Sequence, residues 1–155
     1  MSDTVISPFA ERDLEPVRRL FQEYADSLSV DLAFQSFDDE VAGLPGRYAP
    51  PTGALLVARV DEEQIGCVAL RAIDIETCEL KRLFVRPTRR GGGVGLLLLK
   101  SAIAEARRLG YRHLRLDTIP GMERAQELYE RFGFHDIPPY TTNPVAGARF
   151  LELEL

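Results

Sequence analysis

Apolar positions in the first third of the chain recur at helical spacing. Leu14, Val17, Leu20, Phe21, Tyr24 and Leu28 follow one another every three or four residues, which predicts an amphipathic helix. Asp13 stands where an N-cap belongs, and Pro16 is tolerable in the first turn behind it. Val5–Ser7 reads as a short first strand. Ser36 with Asp39 resembles a second helix start ahead of Val41 and Leu44, ended by Pro45-Gly46, and Pro50-Pro51 forms a loop.

The pattern then changes to that of strands. Gly53–Val60, Gln64–Ala72 and Cys78–Val85 are rich in β-branched and apolar residues and lie close enough in sequence for an antiparallel meander, stopped by Pro87. From Gly93 to Leu109 a helical stripe returns, carried by Val94, Leu97, Leu98, Ala102, Ala106 and Leu109. Leu96, Leu99 and Ile103 widen it, as in a helix pressed onto a sheet. Gly110 suits the end of that helix. His113–Asp117 predicts a strand, and Met122, Ala125, Leu128, Tyr129 and Phe132 mark a last helix closed by Gly133. Phe134–Ile137 and Ala148–Leu155 are candidate closing strands. An antiparallel start with a β–α–β centre is an α/β or α+β three-layer arrangement, expected to fill residues 1–155 as a single domain.

Composition narrows the class. The chain has 155 residues, 45% hydrophobic and 28% charged, an ordinary globular mix. A formal net charge of -5 argues against a dedicated nucleic-acid binder. No apolar run is long enough to cross a membrane, and the N-terminus is too polar for a secretory signal, so a cytoplasmic protein is expected. Cys67 and Cys78 lack metal-ligand spacing and read as buried free thiols, and no metal site is expected.

The segment Cys78–Leu99, CELKRLFVRPTRRGGGVGLLLL, carries the candidate chemistry. A strand enters a loop holding Arg89, Arg90 and the glycines Gly91, Gly92 and Gly93, which opens directly into a helix. Glycines let backbone approach a ligand closely, and the first helical N–H groups, with the helix dipole, favour an anion. Arginine adds positive charge, so a phosphate or pyrophosphate is the natural ligand. A P-loop would need Gly-Lys-Ser or Gly-Lys-Thr, which is absent. A dinucleotide fingerprint would lack its last glycine, since Leu96 stands there, although Asp117 lies about where its acidic residue belongs.

Arg90-Gly91-Gly92-Gly93-Val94-Gly95 fits the (Gln/Arg)-x-x-Gly-x-(Gly/Ala) signature of the GCN5-related N-acetyltransferase (GNAT) family. LKRLFVRP before it resembles that family's fourth strand. LDTIPGMERAQELYERFGF resembles its fifth strand and following helix, and the tail IPPYTTNPVAGARFLEL resembles the end of one bacterial subgroup. Where many members carry Asn, this chain has Met122. The resemblance implies a mixed, mostly antiparallel sheet with helices on both faces and a cleft where the fourth and fifth strands splay. It implies acetyl-CoA as cosubstrate, its pyrophosphate on amides of Arg90–Gly95. The pantetheine would pair along Leu83, Phe84 and Val85 like an added strand. Thr118 would line the cleft and Ala125 would lie beside the cofactor.

The resemblance further implies roles for single residues. Glu79 corresponds to the general-base glutamate of part of the family, and strand alternation sets it on the face of Leu83 and Val85. Its plain alternative is a strand carboxylate paired with Lys81 or Arg82. Tyr129 matches a tyrosine near the CoA sulfur that protonates the departing thiolate; its plain alternative is a core tyrosine. The oxyanion would meet the N–H of Leu83 or Phe84. Tyr24, Phe34, Tyr140 and Asn143 are candidates for the acceptor pocket. The implied reaction moves acetyl to the primary amine of a small molecule, with amino acids, polyamines, antibiotics and protein N-termini all open as acceptors. No nucleic-acid or membrane partner is expected, and homodimers are common in the family. A non-catalytic CoA-binding regulatory module on the same fold is the alternative.

Overall fold

The computed structural model describes residues 3–28, 31–32 and 36–155. Its elements, in chain order, are β1 (Thr4–Pro8), α1 (Leu14–Ser27), α2 (Phe37–Ala42), β2 (Ala54–Val60), β3 (Glu63–Ala72) and β4 (Thr77–Val85). They continue with α3 (Val94–Arg108), β5 (His113–Thr118), α4 (Glu123–Arg131), β6 (His135–Asp136) and β7 (Arg149–Glu154). The strands form one 7-stranded sheet in the order β1-β2-β3-β4-β5-β7-β6. All neighbours are antiparallel except β4 and β5, which the crossover through α3 makes parallel.

Alternation along the strands divides the core into two layers. Leu56 of β2 and Leu70 of β3 face α3 and α4, joining Leu98, Leu99, Ala102 and Tyr129. Leu55, Val57, Cys67 and Ala69 face the other way, onto Val17, Leu20 and Phe21 of α1 and Phe37 of α2. Each of the buried Leu, Val and Phe side chains among them contributes about 2 kcal/mol. Both cysteines are buried free thiols, their acidity suppressed by burial to a pKa of about 12.

Two local expectations are corrected. Asp13 precedes α1, but its carboxylate makes no cap. It accepts the Ala10 N–H at 2.8 Å and a bond from Gln64 Nε2 at 3.0 Å and, itself fully buried, forms an ion pair with Arg59 of β2. The guanidinium offers stronger, charge-assisted bonds than a helix amide does. Ser36 precedes α2 in a left-handed conformation, and its hydroxyl makes no cap bond. The closing strands are also shorter than expected, reduced to β6 and β7, with residues 137–148 forming an irregular loop.

β4 departs from regular alternation. Leu80 and Val85 both belong to the α3 layer although an odd number of steps separates them, and Phe84 belongs to the α1 layer. The register against β3 shifts between Cys67/Ala69, and Arg82 sits at φ 61, so one extra residue is bulged into β4. The expectation that Glu79 shares a face with Leu83 and Val85 is therefore wrong: the bulge inverts the alternation between them. The β4–β5 ladder covers only Thr77, Cys78 and Glu79 against His113, Leu114 and Arg115. Beyond it β4 follows β3, β5 follows β7, and a cleft opens between them.

Candidate active site

A groove of about 690 Å³ runs along this cleft. Leu83, Phe84 and Val85 form its β4 wall. Arg90, Gly91, Gly93, Val94 and Gly95 form the end at the start of α3, and Ala125 lines it from α4. The β4 wall pairs with β3 on one side and, past Glu79, with no strand among the described residues on the other, leaving an edge that an extended ligand can join.

The loop is built to receive an anion. Among the described residues, the amides of Gly91 through Leu96 donate to no acceptor; the first bond into the helix comes from Leu97 N–H to the Gly93 carbonyl at 3.0 Å. Gly91 and Gly93 lie at φ 90 and 81, where a side chain would be strained. A Cβ on Gly92 or Gly95 would meet nothing within 4 Å, so the space outside these residues is open. The two arginines have separate partners. Arg89 bonds Glu63 at 3.0 Å, whereas Arg90 folds back, donating to the Val85 carbonyl at 2.9 Å with its guanidinium over the Phe84 ring.

The groove leads to a smaller cavity of about 40 Å³ between the parted strands, and Leu83 and Met122 line both. Thr118 and Tyr129 belong to the wall of this inner cavity. Tyr129 is 5% exposed, and burial raises its pKa above that of an ordinary phenol, so it is a neutral O–H at physiological pH. Among the described residues its hydroxyl has no hydrogen-bond partner, and its ring packs on Phe134 at 5.5 Å.

Glu79 is placed differently. It is 3% exposed, and both carboxylate oxygens are engaged. Arg71 Nε donates to Oε1 at 2.8 Å and the Tyr140 hydroxyl donates to Oε2 at 2.6 Å. Burial and the adjacent carboxylate raise the Tyr140 pKa, keeping it a proton donor. Glu79 does not line the inner cavity. The carboxylate that does is Asp117 of β5, which accepts Asn143 Nδ2 at 3.0 Å and lies 3.7 Å from Lys81 Nζ.

Sequence reasoning considered Lys81 only as a partner for Glu79 and Asp117 only as a nucleotide ligand. Their common signal was position: each lies two residues past a partner in the last rung, Glu79 opposite Arg115, where the ladder ends and only side chains span the gap. Of the acceptor-pocket candidates, Tyr24 and Asn143 line the cavity, Tyr140 binds Glu79, and Phe34 lies outside the described residues.

This geometry agrees with what the chain resembles. Residues 14–134 match the family model described as the acetyltransferase (GNAT) family. An uncharacterized N-acetyltransferase of Schizosaccharomyces pombe is 42% identical over 147 residues, spanning 93% of this chain and 90% of the relative. A GNAT-family acetyltransferase from Staphylococcus aureus superposes with a TM-score of 0.80 at 20% identity, over 98% of this chain and 99% of that one. A GNAT-family acetyltransferase from Elizabethkingia anophelis, solved with acetyl-CoA bound, does so with a TM-score of 0.72 at 24% identity over 100% of both chains. Splayed parallel strands, a glycine loop with unsatisfied amides and a family match across most of its length lead to one assignment: the chain belongs to the acetyltransferase (GNAT) family.

Proposed function

We propose that this chain transfers the acetyl group of acetyl-CoA to the primary amine of a small molecule. The observation that carries the reading is the continuity of one path. It runs from the open amides of Gly91–Leu96, along the unpaired edge Leu83–Val85, to the cavity beside Tyr129. A diphosphate suits the amides, an extended pantetheine suits the edge, and a thioester at the end of that arm arrives between Leu83 and Tyr129.

In this reading, the amine attacks the thioester carbonyl and the oxyanion takes the N–H of Leu83 or Phe84. Collapse of the tetrahedral intermediate expels the thiolate, which the neutral Tyr129 phenol protonates. Asp117 meets the incoming ammonium in the cavity wall. Glu79, behind that wall, is the terminal proton acceptor, reached through water or the Tyr140 hydroxyl that already bonds it. The small size of the inner cavity favours a small-molecule amine over a folded protein.

The test has two parts. Acetyl-CoA should raise Tm while NAD does not, and thiol release should depend on an added amine. Acetyl-CoA binding without thiol release across a broad amine panel would favour the non-catalytic CoA-binding module; no binding at millimolar acetyl-CoA would remove both readings.

A further inference from the structure

The outer groove and the inner cavity meet at a neck. Among the described residues, four line both spaces: Tyr24 of α1, Leu28 just past its end, Leu83 of β4 and Met122 just ahead of α4. All four are half-buried, as residues bordering open space are. Three of them bring apolar side chains, so the neck is an apolar collar between the charged anion loop and the polar groups of the inner wall. Met122 stands at the N-cap of α4, at φ -112 and ψ 35, and makes no side-chain cap bond. An Asn in that place would accept a helix amide, whereas a thioether is a weak acceptor. The turn ahead of the helix is closed instead by Glu123, whose carboxylate accepts the Gly121 N–H at 3.0 Å. The helix start therefore makes no use of the Met122 side chain, which is unbranched, adaptable in shape and suited to filling an irregular gap.

We propose that this collar, with Met122 as its decisive member, sets the length of the acyl group: a two-carbon acyl is accepted and a straight four-carbon one is rejected. The proposal rests on the acetyltransfer reading above and specifies its acyl donor. A thioester delivered along Leu83–Val85 reaches the neck with its acyl chain directed at the inner cavity, and that cavity is only about 40 Å³, room for roughly three waters. The methyl and carbonyl of an acetyl group and the attacking nitrogen fill a space of that size. Each further methylene must displace either the nitrogen or Met122. The bonds exchanged are the same for every chain length: the amide C–N bond forms, the C–S bond breaks, and the amine loses a proton as the thiolate gains one. A difference between donors therefore reports fit and not chemistry.

The experiment measures kcat/KM for thiol release from acetyl-, propionyl- and butyryl-CoA, each with the one amine that accepts acetyl fastest. One methylene too many in an apolar pocket costs about 10-fold or more, so acetyl-CoA should exceed butyryl-CoA by about 100-fold. In Met122→Ala that ratio should fall to within about threefold, because the shortened side chain leaves room for the two added methylenes. Met122→Leu, which conserves volume, should keep the wild-type ratio. Met122→Val decides the matter should Ala disturb folding, with the rise in Tm given by CoA itself as the folding control. A wild-type enzyme that uses butyryl-CoA as well as acetyl-CoA would overturn the proposal while leaving acyl transfer intact. So would a ratio unchanged in both Met122→Ala and Met122→Val. If none of the three thioesters releases thiol with any amine, the acetyltransfer reading itself falls, and the proposal with it.

Discussion

Glu40 of α2 grips Arg82 of β4 at two points, 2.8 and 3.0 Å, and Arg82 is the residue at the bulge, held at φ 61 with only 3% of its surface exposed. Its guanidinium also lies over the rings of Phe37 and Tyr24, at 5.2 and 5.8 Å. A left-handed conformation is unfavourable for a bulky residue and persists only where surroundings enforce it. The pair thus ties α2 to the bulge that sets Leu83 and Phe84 at the cleft.

Glu40→Ala removes one partner and leaves a buried cation, which costs about 3 kcal/mol, or a fall in Tm of roughly 10 °C. Because the bulge sets the Leu83 edge, kcat should fall as well, by more than KM for acetyl-CoA rises. Thermal melts and steady-state kinetics check this; an unchanged Tm would show that the bulge does not depend on Glu40.

At Gly92 the backbone is not left-handed and a Cβ meets open space, so Gly92→Glu tests the anion site without straining the loop. The variant should fold normally and lose the Tm rise given by acetyl-CoA, since a carboxylate then sits where the diphosphate belongs. Retention of the full shift would move the diphosphate elsewhere.

Tyr129→Phe keeps the ring packed on Phe134 and removes only the phenol. If that phenol protonates the thiolate, kcat falls by about 100-fold while KM for acetyl-CoA changes little. Its raised pKa means the donor stays protonated through neutral and mildly alkaline pH. Loss of the proton donor should therefore change the rate across that whole window.

Glu79→Gln separates a proton acceptor from a structural carboxylate. Both readings predict some loss of stability, because Arg71 loses its counter-charge. Only the acceptor role predicts a kcat loss of about 100-fold with acetyl-CoA affinity retained. Wild-type kcat in a variant with lowered Tm would make Glu79 a strut for Arg71 and Tyr140.

Asp13 is held well below the usual carboxylate range by hydrogen bonds from Arg59. A carboxyl depressed in the folded state stabilises fully above its unfolded value, 3.8 for this group, and that stability is lost as pH falls below it. Asp13→Asn should therefore lower Tm markedly at pH 7 and progressively less toward pH 3. A Tm difference independent of pH would show that packing, not charge, is what Asp13 provides.

The sequence by itself determined the order and type of nearly every element, because helical and strand periodicities express which face is buried, and that is a local property. It also determined the anion loop, since glycines, arginine and a helix start are consecutive in the chain. Tertiary structure decided what periodicity cannot carry. One bulged residue at Arg82 reversed the face of β4, moving Glu79 behind the wall and out of the face assigned by counting. Asp13 left its cap for Arg59, a partner remote in sequence. Lys81 and Asp117 became a facing pair only because two parallel strands part after Glu79 and Arg115, and the distance between strands is set by the packing of the whole sheet, not by the residues that end up opposed across it.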